Sequence, residues 1–170
     1  MRIYTRQGDG GEARLPGGEP ISKDSLVLEA CGTLDELGAA LGLARCESLP
    51  GELGPLVESI QRSLLQLNGE LACPEPSADA SRAIGPPRIE ALESLIDRYE
   101  SQLAPLGEFV LPGSARAEAA LHLARTVCRR AERRLVSLGR MEPGRVNEHQ
   151  LSYLNRLSDL LFVLARFAGR

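Results

Sequence analysis

Leu53, Leu56, Ile60, Leu64, Leu67 and Leu71 recur at intervals of three or four residues until Cys73 and Pro74 end the run. Only an α-helix, with about 3.6 residues per turn, gathers such positions on one side; a strand would scatter them over both faces. The stripe needs an apolar partner surface, and the same spacing returns along the chain. From about Ser25 to Cys46, Leu34, Leu37, Leu41 and Ala44 mark a helix before it. After it, Pro87 suits a first helical turn, where a missing N–H costs little, and Ile89, Leu92, Leu95, Ile96 and Leu103 mark a buried side that Pro105 and Gly107 close. A fourth helix, from about Ala115 to Leu138, carries Ala120, Leu121, Ala124, Val127, Ala131 and Leu135 on or near its core side, with Ser114 placed to cap it. A fifth, from about Asn147 to Ala168, carries Leu151, Leu154, Leu157, Leu161, Leu164 and Ala168. Between them lie Pro50 and Gly51, the polar stretch Glu75 to Pro87, which is the best candidate for disorder, and the turn-rich Gly139 to Arg145. With no convincing strand, this pattern predicts an all-α, five-helix bundle of up-and-down type. The 170 residues form one domain, 1–170, with an N-terminal loop at 1–24 and the bundle at 25–170. A chain of that size removes roughly 70% of its unfolded surface from water. Leu- and Ala-rich faces bury modest area each, so a subunit interface is expected to add stability.

The fourth helix also carries the densest charge. Ala124 to Arg134 holds five arginines, and Arg125, Arg129 and Arg133 follow at i, i+4 and i+8, so that they climb one face with Glu132 beside them. Like charges one turn apart repel by a few tenths of a kcal/mol per pair. Two readings follow: a solvated face with scattered ion pairs, or a cationic column that an anion neutralises. The N-terminal TRQGDGG segment is open in the same way. Its glycines could present backbone N–H groups to an anion, or it could be a plain flexible arm; it lacks the Lys-Ser/Thr ending of a Walker A loop. Asp35 and Glu36 fall off the first helical stripe, facing solvent or a partner. Phe109, on the extended EFVLPGS connection, is core filler or a site residue; Asn155, Arg156 and Asp159 form a polar patch or merely a wet face.

A net charge of -3 with 4% aromatic residues argues against a nucleic-acid surface, which needs a basic field and stacking rings. The four cysteines show no paired metal-ligand spacing, and three of them sit in apolar helical patterns as small buried hydrophobes. No signal-like or membrane-spanning apolar run is present, so the chain reads as cytoplasmic with no membrane partner. His122 and His149 are isolated, and no Ser-His or Cys-His constellation is apparent.

TRQGDGG, SKD (Ser22 to Asp24), GTLDEL (Gly32 to Leu37), FVLPG (Phe109 to Gly113), Ala120 to Arg134 and Tyr153 to Arg166 together resemble the PduO-type ATP:cob(I)alamin adenosyltransferase family, in the family's order and over nearly the whole chain. The resemblance implies a homotrimer with active sites between adjacent subunits. The reaction it implies is transfer of the 5′-deoxyadenosyl group of ATP to the cobalt of reduced cobalamin, with inorganic triphosphate leaving and magnesium assisting. It implies phosphate-binding roles for Thr5, Arg6, Gly8, Asp9, Gly10, Gly11 and Lys23, and ATP-site roles for Arg125, Arg129, Glu132, Arg133 and Asn155. Asp35 and Arg125 resemble a pair that meets across the subunit boundary, and Phe109 resembles the aromatic residue under the corrin. Phe109, Arg125, Asp35 and Arg129 are thus the expected catalytic group. The loop departs from the commonest motif at Gln7 and Ala13, which bears on its phosphate contacts. A cobalamin reductase and an adenosylcobalamin-dependent enzyme are the partners such an activity implies. Two other classes stay open: a non-catalytic cobalamin carrier, and a structural helical oligomer.

Overall fold

The structure is a computed structural model that describes residues 3–4, 6–16, 18, 20–73 and 84–170. Two short strands, β1 (Glu12–Arg14) and β2 (Pro20–Ser22), precede helices α1 (Leu26–Cys46), α2 (Leu53–Ala72), α3 (Pro86–Glu100), α4 (Arg116–Met141) and α5 (Glu148–Ala168). The helices pack in the spatial order α2, α1, α4, α5, α3, so α4 lies between α1 and α5. Among the described residues no helix is long and apolar enough to cross a membrane.

The leucine stripes build the core. Leu34, Leu37, Leu41 and Ala44 of α1 meet Ala124, Cys128, Ala131 and Leu135 of α4, and Leu154, Leu157, Leu161 and Leu164 of α5 complete the same buried cluster. Each fully buried leucine is worth about 1.5–3 kcal/mol over leaving it in water. On α2, Leu53, Ile60, Leu64, Leu67 and Leu71 are buried as the spacing predicts, while Val57 takes the inward position and Leu56 is half-buried. α1 and α2 approach closely: Gln61 Nε2 donates to the Gly38 carbonyl at 2.8 Å, and a Cβ on Gly42 would sit 3.4 Å from the same nitrogen.

Polar clamps close the bundle's other side. Arg88 of α3 donates to Ser63 (2.8 Å) and Gln66 (2.7 Å) of α2, and Gln150 of α5 donates to Glu70 at 2.9 Å. Glu70 also accepts the N–H of buried Ile84 at 3.0 Å. The α5 N-terminus has a full capping box: Asn147 accepts from the Gln150 N–H and Gln150 accepts from the Asn147 N–H, each at 3.0 Å.

Four expectations change. The chain is not strand-free, because Glu12, Ala13 and Arg14 pair antiparallel with Ser22, Ile21 and Pro20 in a small hairpin. Ser114 does not cap α4; the cap position is Ala115, and the orphan N–H groups ahead of the helix are taken instead by Glu118, three residues in. Only Cys31 and Cys128 are buried, whereas Cys46 and Cys73 end their helices in exposed positions. On α3 only Leu92 and Tyr99 are fully buried, with Ile89, Leu95, Ile96 and Leu103 packed at the edge of the core, as befits an outermost helix. Most of the polar stretch expected at 75–87 lies outside the described residues.

Candidate functional site

The five arginines of α4 between Ala124 and Arg134 divide into two sets. Arg130 and Arg134 are paired with Glu36 and Glu29 of α1, the second at 2.9 Å, and these pairs hold the α1–α4 seam at its surface. Arg129 and Arg133, one turn apart on the other side, are exposed and have no carboxylate partner among the described residues; Arg133 Nη1 donates only to the Arg129 carbonyl, at 3.1 Å. Arg125 begins the same column half-buried. Its guanidinium lies over the Phe162 ring, 5.8 Å from the centroid, a cation–π contact, and its Nε is buried with no acceptor. A cationic column whose nitrogens remain available is what a polyanion requires.

α5 supplies the facing polar groups. Asn155 Nδ2 donates to Glu132 Oε1 at 3.1 Å, and its Oδ1 accepts from Arg156 at 2.9 Å. Arg156 in turn reaches Glu93 of α3 at 2.8 Å. Arg156 and Glu93 line a cleft of about 470 Å³ between α3, α4 and α5, with Arg125, Arg129, Asp159 and Phe162 also in its walls, while Asn155 and Glu132 lie outside that lining. The cleft is cationic on the α4 side and carries the Glu93, Asp97 and Glu100 carboxylates on the α3 side. The Asn155–Glu132 bond ties α5 to α4 beside exposed Arg133, the next residue along α4.

The N-terminal loop forms a second concavity. Lys23 Nζ donates to the Gly8 carbonyl at 2.6 Å and the Lys23 N–H to the Gly11 carbonyl at 2.9 Å, folding the 6–11 segment back onto the end of β2. The Gly11 N–H donates to Gly8 at 3.2 Å in a tight turn, with Gly11 at φ 87°. Arg6 is the one non-glycine residue with positive φ, 63°, among the described residues, a conformation that costs an ordinary side chain energy and recurs at functional turns. Gly8 sits in a tight place, since a Cβ there would lie 3.0 Å from Lys23 Nζ and 3.1 Å from the Glu12 carbonyl oxygen. Gly10 faces open space instead. Gln7, Gly8, Ala13, Arg14 and Lys23 line a hollow of about 840 Å³. Asp9 is exposed, and Thr5 lies outside the described residues.

Asp35 and Arg125 do not pair within the chain: Asp35 is exposed and accepts from Asn68 Nδ2 at 2.8 Å, while Arg125 stacks on Phe162. Phe109 is 106% exposed and its neighbour Leu111 88%, so Phe109 is not core filler of this chain. Sequence reasoning missed three groups here. Phe162 supports Arg125, Asn68 holds Asp35, and Glu118, 2% exposed, accepts from the N–H groups of Gly113 and Ser114. A glutamate in a first helical turn was the available signal for the last. The buried thiols are poorly placed to ionise: burial, aided by Asp35, pushes Cys31 up to about 11, and burial raises Cys128 as well.

Residues 3–168 match the sequence profile of the family described as cobalamin adenosyltransferase. The chain is 45% identical over 166 residues to a corrinoid adenosyltransferase of Citrobacter freundii, covering 97% of this chain and 93% of that one. It is 46% identical over 169 residues to the corrinoid adenosyltransferase PduO of Salmonella typhimurium, of which it spans 49% while 98% of this chain is covered. Among solved structures, a variant PduO-type ATP:corrinoid adenosyltransferase from Lactobacillus reuteri complexed with cobalamin and ATP superposes with a TM-score of 0.87 at 35% identity, over 99% of this chain and 93% of that one.

Proposed function

Because the chain belongs to the cobalamin adenosyltransferase family, we propose that it transfers the 5′-deoxyadenosyl group of ATP to the cobalt of reduced cobalamin and releases inorganic triphosphate. The observation that carries this reading is the column of Arg125, Arg129 and Arg133, without carboxylate partners among the described residues although Arg130 and Arg134 of the same helix are paired. The cobalt(I) electron pair forms the Co–C bond to C5′ as the C5′–O bond breaks, and the bonding electrons leave on the triphosphate. No protein nucleophile is needed. Charge grows on the leaving oxygen, so guanidinium donors aimed there stabilise the transition state more than bound ATP. Each charge-assisted hydrogen bond is worth about 1.5–3 kcal/mol. In this scheme Arg129 and Arg133 hold the triphosphate, Glu132 and Asn155 form the nucleotide wall, and the Lys23-braced loop with Arg6, Gly8, Asp9, Gly10 and Gly11 closes over the phosphates.

Magnesium enters the scheme with the triphosphate. Among the described residues no three His, Cys, Asp or Glu side chains converge into a cage, and this ion ordinarily keeps several waters plus substrate phosphates. The residues present do not fit a dedicated magnesium site, and no step is assigned to it.

The working unit is a cytoplasmic homotrimer in which the loop of one protomer covers α4 of the next. The partnerless Arg125 Nε and the exposed Asp35 support a pair across that boundary, and exposed Leu43 and Leu123 on α1 and α4 support an apolar contact around it. Phe109 then lies under the corrin, where an apolar ring keeps water off the lower axial position of cobalt. An axial donor stabilises the oxidised metal, so its exclusion eases reduction to cobalt(I). A reductase would supply the electron, and an adenosylcobalamin-dependent enzyme would receive the product.

Mixing the protein with ATP, magnesium and chemically reduced cobalamin should produce the absorbance of a cobalt–carbon bond, and Arg129→Ala should slow it sharply. Binding of cobalamin with no such bond formed would make the protein a carrier.

A further inference from the structure

The connection that carries Phe109 has little to hold it: residues 104–114 are exposed throughout. Its C-terminal end is different. Gly113 turns the chain at φ 122°, a region that suits glycine, and the next two peptide N–H groups in line, those of Gly113 and Ser114, both donate to one oxygen, Glu118 Oε2, at 2.8 and 3.1 Å. That carboxylate is 2% exposed, which is unusual for a glutamate outside an ion pair. Its second oxygen lies 3.2 Å from Nε2 of His122, itself 3% exposed, though neither atom is aligned for a hydrogen bond. The His122 ring meets Phe162 edge-on at 5.9 Å, and Phe162 is the ring under Arg125. The end of α5 covers the clamp: a Cβ on Gly169 would lie 2.9 Å from Ser114 Oγ and 3.1 Å from Glu118 Cγ.

We propose that Glu118 is a positioning residue, whose buried carboxylate fixes the Gly113–Ser114 turn and so sets where Phe109 stands relative to the arginine face. The inference rests on the role given to Phe109 above. Glu118 touches no substrate; it acts through two backbone N–H groups on the loop. A carboxylate suits this task because one oxygen accepts two N–H groups at once, and burial keeps water from competing for them.

The test compares Glu118→Ala, Glu118→Gln, Phe109→Ala and the double variant Phe109→Ala/Glu118→Ala with the unaltered protein. Steady-state kinetics would be measured separately in ATP and in cobalamin. Glu118→Ala should lower kcat for cobalamin about 10- to 100-fold, the range for loss of an orienting outer contact, while KM for ATP stays within about twofold. Glu118→Gln, which retains an acceptor oxygen, should recover most of that loss. The double variant should be no slower than Phe109→Ala alone, since both changes act through one ring. If Phe109→Ala is itself as fast as the unaltered protein, the reading of Phe109 fails. If Phe109→Ala is slow while Glu118→Ala is not, or if the two losses multiply, the positioning role fails and Phe109 keeps its own. Should Glu118→Ala not fold, amide hydrogen exchange on the unaltered protein decides. The Gly113 and Ser114 amides should exchange far more slowly than their exposed neighbours at Glu108 and Leu111, and exchange at the neighbours' rate would overturn the proposal.

Discussion

Arg129 stands on the surface of α4 with no carboxylate partner among the described residues, so removing it deletes no core area. Arg129→Ala should leave unfolding free energy within about 0.5 kcal/mol, as for other surface changes. It should also cut kcat/KM for ATP by about tenfold or more, the worth of one charge-assisted hydrogen bond. Kinetics and a denaturant melt on the same sample separate the two effects; a fall in stability with unchanged ATP use would make Arg129 structural. Phe109→Ala makes a sharper contrast. A core phenylalanine costs about 3–5 kcal/mol on truncation, but a side chain 106% exposed should cost almost nothing. Turnover should fall most when a mild reductant must act on bound cob(II)alamin, and less when cob(I)alamin is supplied preformed. His122 gives a pH signature. Burial, reinforced by Arg125 and opposed by Glu118, lowers its pKa below the ordinary 6.5, so the unfolded chain binds this proton more readily. Its contribution to stability is full above 6.5 and is lost as pH falls through the lower folded value; His122→Gln should flatten that slope in melts taken from pH 7 downward. The arginine column was legible because periodicity alone places Arg125, Arg129 and Arg133 together. Which arginines are paired was not, because Arg130 and Arg134 find Glu36 and Glu29 on a helix about ninety or more residues earlier. Glu118 left only a slight signal: a single glutamate in a first turn marks a helix start but reads equally as an ordinary solvent charge.

The helices themselves were the most legible part, since leucine spacing decides both their existence and their inward faces. Their ends were less so. α4 continues to Met141, beyond the expected Leu138, and a Cβ on Gly139 would sit 3.3 Å from Val146 Cβ, a close approach no local pattern shows. The hairpin escaped notice because strands of three residues have no room for visible alternation, and the Lys23–Gly8 and Lys23–Gly11 bonds that brace it are set by the loop's path. α5 is the element whose stability is easiest to challenge. Asn147→Ala removes half of its capping box and should cost about 1 kcal/mol, whereas Leu157→Ala, in the fully buried stripe, should cost about 2–5 kcal/mol. Urea melts of both variants check the ratio; equal losses would mean that the α5 stripe is not the main source of its stability.

For the molecule as a whole, the placement of α4 between α1 and α5 commits its apolar stripe to the core and leaves the arginine column on one surface, with Arg130 and Arg134 paired to α1 on another. A protomer so built presents Asp35, Phe109 and the column at its surface without uniting them, and a neighbouring subunit is the proposed means of completing the site. Sizing at micromolar concentration should give a trimer, and Asp35→Asn should lower activity while the trimer persists; a monomer that is fully active would refute the shared site. The pair's effect should be on geometry more than on net stability, because desolvation offsets much of its attraction. The central claim is that the column holds a triphosphate which departs whole. Phosphorus NMR of a reaction containing ATP, magnesium and cob(I)alamin, followed alongside the cobalt–carbon absorbance, should show one inorganic triphosphate released for each adenosylcobalamin formed. Pyrophosphate and phosphate as the primary products, in proportion to turnover, would contradict it.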